Sequence, residues 1–193
     1  MNIGIDIDDT ICNTREFMAP YAQMFAIERG RSPKIADPDK RLVMDVLGWS
    51  AEDTKAYKKS YWNKIIPNVP LKPHVCKTLE QLRTTGDKIY FITARDRAWD
   101  MFDDPYNLSA RYLEQHGIKY DGLVVESLDK LSACQELDID VLIEDNLDIC
   151  KKVLLHGIRP ILFATPYNKD CGSIERAHSW AEIYYILKGA LVL

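Results

Sequence analysis

The chain has 193 residues, enough for one domain with an insertion and a substantial core. Hydrophobic residues make up 47% and charged residues 28%, and the formal net charge of −4 leaves no basic footprint for duplex or single-stranded nucleic acid. Cys12, Cys76, Cys134, Cys150 and Cys171 show no CxxC spacing, which argues against a zinc site or a disulfide framework and fits a reducing cytoplasm.

The chain opens on Met1-Asn-Ile-Gly-Ile-Asp-Ile-Asp-Asp-Thr10. Ile3 to Ile7 is short and β-branched, which predicts a strand buried on both faces and leaves no room for a signal peptide. The run ends in Asp6, Asp8 and Asp9. Side chains alternate along a strand, so Asp6 and Asp8 project the same way, about 6.5–7 Å apart. Two readings stand at this point. The strand exits into an acidic turn, with Thr10 and Asn13 as helix N-caps. Alternatively the carboxylates hold a divalent cation and divide nucleophilic from acid/base work. Packing alone gives no reason to set like charges at the end of a core strand.

Helical spacing of Phe17, Tyr21, Met24 and Phe25 predicts a helix over Asn13–Arg31, with Pro20 in its first turn or at a kink. Residues 31–40 read as a loop, marked by Ser-Pro and Asp-Pro. Helices are expected near Lys40–Leu47 and over Ala51–Ile65, the second capped by Ser50 with Asp53 three residues later. Pro67, Pro70 and Pro73 then break the chain. Residues 13–72 therefore read as a helical cap insertion, and residues 1–12 and 73–193 as the core domain. The cap aromatics Trp49, Tyr57, Tyr61 and Trp62 suit the inner stripe of a small bundle, the commoner use, or a wall that stacks a base or sugar.

From His74 onward helices and strands alternate. Strands are expected at Lys88–Thr93, Gly122–Val125, Val141–Asp145 and Ile161–Ala164, with helices between them and a last helix near Ser179–Leu187. This alternation predicts an α/β fold, a Rossmann-like doubly wound parallel sheet. Pro160 places the Ile161 strand at an edge. No apolar run approaches a membrane span. His74, His116, His156 and His178 show no ligand spacing.

Ligands of open parallel sheets bind outside the carboxyl ends of the strands. Those ends carry Asp6 and Asp8, Thr93, and Glu144 and Asp145, while Lys130 begins the helix before the fourth strand. Carboxylates, a hydroxyl and one cation on one edge are what a magnesium-bound phosphate requires. Arg95 and Arg97 suit a phosphate or a base, and equally a surface ion pair.

Asp6-Ile-Asp8-Asp-Thr10, Ile92-Thr93-Ala-Arg95, Asp129-Lys130 and Ile143-Glu144-Asp145-Asn resemble, in order, the four motifs of haloacid dehalogenase (HAD) superfamily phosphatases. The chain resembles most their 5'(3')-deoxyribonucleotidase branch, through the cap, Pro67-Asn-Val-Pro-Leu-Lys-Pro73 and the closing Ser179-Trp-Ala-Glu-Ile. The resemblance implies a cytoplasmic phosphomonoesterase acting on a small substrate, a nucleoside monophosphate. Asp6 would be the nucleophile and Asp8 the acid/base. Mg2+ would be held by Asp6, the backbone carbonyl of Asp8, and Asp145. Thr93, Lys130 and the backbone around Asp9 and Thr10 would hold the phosphoryl group. Glu144 and Arg95 would stand behind these or touch substrate. Phe17 and Tyr21, one and two turns past the first motif, would supply a stacking surface. Two positions depart from the pattern: Asp9-Thr10 replaces a glycine and an aliphatic residue, and Glu144 replaces an aspartate. The rival readings are a phosphatase for a sugar phosphate or other small phosphomonoester, and a phosphate-binding or regulatory module without catalysis.

Overall fold

The computed structural model describes residues 1–34, 37, 39–41, 47–98 and 102–189. Over 42–46, the helix expected near Lys40–Leu47 lies outside the described residues. Among the described residues six parallel strands run in the order β3-β2-β1-β4-β5-β6. They are β1 Asn2–Ile5, β2 Lys88–Ile92, β3 Gly122–Val124, β4 Val141–Glu144, β5 Arg159–Phe163 and β6 Arg176–Ala177. The central strand β1 pairs with β2 and β4, with Ile5 opposite Phe91 and Ile143. Ile3, Ile5 and Ile7 are wholly buried. Burying each is worth about 1.5–3 kcal/mol.

Helix α1, Thr14–Glu28, follows the first strand and holds Pro20 at its seventh position, beyond the first turn where proline costs least. Helix α2, Ala51–Tyr57, starts as expected from Ser50, whose hydroxyl accepts the Asp53 N–H. It then widens into a π-helical turn, Lys58–Trp62, before α3, Asn63–Ile65, and a 3-10 turn ending at Asn68. The chain leaves the core and returns to it side by side. Lys72 N–H donates to Ile11 O at 2.8 Å, and Asn13 N–H to Pro70 O at 3.2 Å. The inserted helices share one apolar cluster with the sheet, which joins Met18, Phe25, Tyr57 and Ile65 to Ile5, Phe91 and Ile143.

The core helices are α4 Val75–Thr84, α5 Pro105–Gln115, α6 Lys130–Glu136, α7 Leu147–Leu154 and α8 Trp180–Lys188. One expectation needs correction: β5 is not the edge strand. Its last residues, Leu162 and Phe163, pair with Arg176 and Ala177 of β6. The N–H groups of Leu162 and Ala164 donate to that side, so Pro160 faces it two residues before the pairing begins. A two-residue strand carries no periodicity to read.

Asp87, buried at the mouth of β2, anchors α8: Lys188 Nζ lies 2.6 Å from Oδ2, and Thr85 Oγ1 donates to the same oxygen at 3.2 Å. Burial opposes its charge, but the Lys188 ammonium and the Met1 ammonium, 3.0 Å from Oδ1, hold the carboxyl below the usual range. A depressed folded pKa contributes stability above the unfolded value, and that stability is lost as pH falls through the folded one. Asp87→Asn is therefore expected to lower stability at pH 7 by about 1–3 kcal/mol. In thermal melts the gap to the native chain should close below about pH 4. A gap independent of pH would assign the loss to packing.

Candidate active site

A cavity of about 470 Å³ opens at the carboxyl ends of β1, β2 and β4. Asp6, Asp8, Asp9, Thr93, Arg95, Lys130, Glu144 and Asp145 line it from the sheet side. Arg15, Met18, Lys58 and Trp62 of the inserted helices line it from the other.

Lys130 is the centre of the charge arrangement. It is the first residue of α6, after Asp129 caps that helix, and its side chain is 3% exposed. Its Nζ lies 2.5 Å from Asp6 Oδ1 and 2.6 Å from Glu144 Oε2. The other Glu144 oxygen accepts the backbone N–H groups of Asp145 and Asn146 at 3.1 and 3.0 Å. Both Glu144 oxygens are thus occupied, and its evident work is to hold Lys130. Asp6 Oδ2 and Asp145 Oδ1 have weaker partners: Thr10 Oγ1 sits 3.4 Å from each and can donate to one at a time.

Oxygens of Asp6, Glu144 and Asp145 lie within 4.8 Å of one another, all buried. Burial foremost pushes Asp6 and Glu144 up to about 7 and Asp145 to about 6, with neighbouring carboxylates adding to the shift. Lys130 offsets part of it for Asp6 and Glu144. Three carboxylates against one ammonium leave an excess of two negative charges when all are ionised. A hard divalent cation with oxygen preference fits this donor set.

Asp8 is held differently. The Arg95 guanidinium grips it with Nε 2.7 Å from Oδ2 and Nη2 2.9 Å from Oδ1, and Thr14 Oγ1 donates to Oδ1 at 2.7 Å. Burial would raise the Asp8 carboxyl, but Arg95 and Thr14 hold it below the usual carboxylate range. In this arrangement Asp8 is an ionised acceptor, the form that takes a proton from water. Protonating a leaving group asks it to carry a proton against the same pairing.

Asp9 takes a left-handed conformation, φ 58°, at the position where the resemblance has glycine. Its carboxylate pays for this locally by accepting the Arg15 N–H at 2.8 Å and the Tyr167 hydroxyl at 3.2 Å. Thr10 is fully buried, with its side chain toward Asp6 and Asp145. Thr93 lines the cavity, and its hydroxyl accepts the Arg95 N–H at 3.4 Å. Arg97 is turned away, exposed and paired with Glu126 at 2.9 Å.

The expected stacking pair, Phe17 and Tyr21, does not line the cavity. Their rings pack on each other at 5.8 Å, and Tyr21, 40% exposed, packs on Tyr61 at 6.4 Å. On α1 it is Thr14, Arg15 and Met18 that face the site, a neighbouring stripe of the same helix. Among the described residues Trp62 is the aromatic side chain lining the cavity, with Lys58 Nζ 4.9 Å from its ring centre.

Sequence reasoning also missed Tyr167. Its hydroxyl joins Asp145 Oδ2 at 2.5 Å to Asp9, and Asn168 beside it donates to Asp145 O at 2.8 Å. Both follow the carboxyl end of β5, so the rule that found Thr93 and Asp145 would have found them too.

A six-stranded parallel sheet with two aspartates after its first strand, a threonine after the second, and a lysine and acidic pair at the fourth defines a haloacid dehalogenase-type phosphatase. The chain belongs to the family described as 5' nucleotidase, deoxy (pyrimidine), cytosolic type C protein (NT5C), whose model matches residues 1–192. It is 22% identical over 188 residues to the protein named "Putative nucleotidase OB0422" of Oceanobacillus iheyensis, covering 93% of this chain and 95% of that one. In fold it is similar to a haloacid dehalogenase-like hydrolase of Streptococcus pneumoniae, at TM-score 0.66 and 16% identity over 97% and 98% of the two chains. It is also similar to a HAD family hydrolase of Deinococcus radiodurans with bound phosphate and sodium, at TM-score 0.68 and 16% identity over 96% and 94%. No helix among the described residues is long and apolar enough to cross a membrane.

Proposed function

We propose that this chain hydrolyses the phosphomonoester of a nucleoside monophosphate, a deoxyribonucleotide by preference, through a phosphoryl group carried on Asp6. The observation that carries this reading is one buried ammonium, Lys130, placed between Asp6 and Glu144 on the floor of a cavity that also holds Asp8. An Asp6 oxygen attacks phosphorus, the P–O bond to the leaving alkoxide breaks, and the alkoxide takes its proton from Asp8, which draws that proton from solvent before the step. Water then attacks the same phosphorus and gives its proton to Asp8, and the P–O bond to Asp6 breaks to release phosphate. Lys130 and Thr93 bind phosphoryl oxygens, and backbone N–H groups around Asp9 and Thr10 assist. Asp6, Asp145 and the Asp8 carbonyl would hold Mg2+, which when bound neutralises charge between nucleophile and phosphate. Residues 13–72 act as a cap that excludes water and contacts the leaving group.

The substrate class rests on Trp62. A π-helical turn often marks a functional site, and here it sets Lys58 and Trp62 together on the cavity wall. A flat ring there suits a base, by stacking worth about 1–3 kcal/mol. The test is a panel of deoxyribonucleoside monophosphates and hexose phosphates, with and without Mg2+. EDTA should abolish turnover and Mg2+ restore it, with nucleotides preferred. Trp62→Leu should raise KM for nucleotides and leave kcat less changed. Sugar phosphates outperforming every nucleotide would move the assignment to the sugar-phosphate reading, and full activity in metal-free protein would overturn the role of Mg2+.

A further inference from the structure

We propose that Arg95 is a positioning residue for Asp8, a buried fork that fixes the plane of the carboxylate and does not itself bind the substrate phosphate. The inference rests on Asp8 being the residue that activates water, as argued above.

Its basis is how completely the guanidinium is committed. Nε and Nη2 engage both Asp8 oxygens, at 2.7 and 2.9 Å. The third nitrogen, Nη1, is 3.4 Å from Ser109 Oγ on α5. The guanidinium carbon lies 5.4 Å from the ring centre of Tyr112, one turn along α5. The Arg95 side chain is 2% exposed, whereas that of Asp8 is 31% exposed. The arginine is therefore the buried support, and the aspartate is the group presented to the cavity.

The arm is fixed at its other end too. Arg95 N–H donates to Thr93 Oγ1, and its carbonyl accepts the Glu126 N–H at 2.9 Å. Tyr112 is held in turn, its hydroxyl donating to Val69 O at 2.8 Å where the chain returns from the inserted helices. A bidentate fork restricts a carboxylate in plane and rotation, which a single lysine contact does not. Water activation is sensitive to that orientation, since the base must lie within hydrogen-bond reach of the attacking water.

The test uses p-nitrophenyl phosphate, whose leaving group departs without needing a proton. Only the second half-reaction then depends on Asp8. Arg95→Met, Asp8→Asn and the double variant are compared with the native chain by rapid quench, with thermal melts as a check on folding. Asp8→Asn should release about one nitrophenolate per site in a burst and then turn over slowly. Arg95→Met should show the same pattern, with steady-state kcat down about 10²-fold, KM falling with it and kcat/KM held. The double variant should be no slower than Asp8→Asn alone, because Arg95 acts only through Asp8. A raised KM with kcat held would make Arg95 a phosphate ligand, and losses that multiply in the double variant would give it a role apart from Asp8. Either result overturns the proposal. Should Arg95→Met fail to fold, Arg95→Lys keeps the charge without the fork and should be intermediate; full activity in it would count against positioning. Absence of a burst in Asp8→Asn, with its turnover near native, would instead remove the underlying role of Asp8 and the Arg95 proposal with it.

Discussion

Asp6→Asn is expected to cut kcat by about 10³-fold or more while the protein stays folded. The amide keeps the shape of the carboxylate but is a far weaker nucleophile toward phosphorus. Its effect on stability should run the other way. Asp6 is buried beside Glu144 and Asp8, and burial with these neighbours already pushes its carboxyl up to about 7. Removing that charge relieves the repulsion, and Lys130 keeps Glu144 as a partner at 2.6 Å. The melting temperature should therefore hold or rise. Activity measured beside thermal melting separates the cases: loss of activity with loss of the fold would make Asp6 chiefly structural.

Lys130→Met should be damaging on both counts. Methionine fills a similar volume but leaves Asp6 and Glu144 facing each other without the ammonium between them. Removing one partner of a buried ion pair typically costs about 3–5 kcal/mol, since the remaining charge is left uncompensated. Turnover should fall by about 10²-fold or more, because a positive group that meets the developing charge of the phosphoryl transition state is gone. Urea unfolding at neutral pH measures the first effect and phosphatase assays the second. Native stability in Lys130→Met would contradict the view of Lys130 as the keystone of the acidic cluster.

These opposite effects on stability, from two residues 2.5 Å apart, follow from counting charges, and much of that count was legible in the sequence. The runs Ile3–Ile7 and Val141–Asp145 declare buried parallel strands, and polar residues at their carboxyl ends point to the site before any coordinates. The helix-start signal at Asp129-Lys130 puts the lysine at the first position of α6, because capping is local chemistry. What was not legible depends on rotation and on distant pairing. The distance of Phe17 and Tyr21 along α1 points to the cavity, but the face a helix presents depends on how it packs, and Met18 takes that face. Strand β6 is two residues long, so in the sequence β5 reads as an edge. The bidentate grip of Arg95 on Asp8 joins positions 87 residues apart, and no local pattern announces it.

The central claim is that the phosphoryl group passes through Asp6. Its most direct test is mass spectrometry of peptides from enzyme quenched in acid during turnover, using the Asp8→Asn variant with p-nitrophenyl phosphate and Mg2+ so that the second step is slow. The account predicts one added phosphoryl group on the peptide containing Asp6, removed by hydroxylamine, and absent when Asp6 is also replaced by Asn. An unmodified Asp6 peptide during continuing nitrophenolate release, or a phosphoryl group found on another residue, would contradict it.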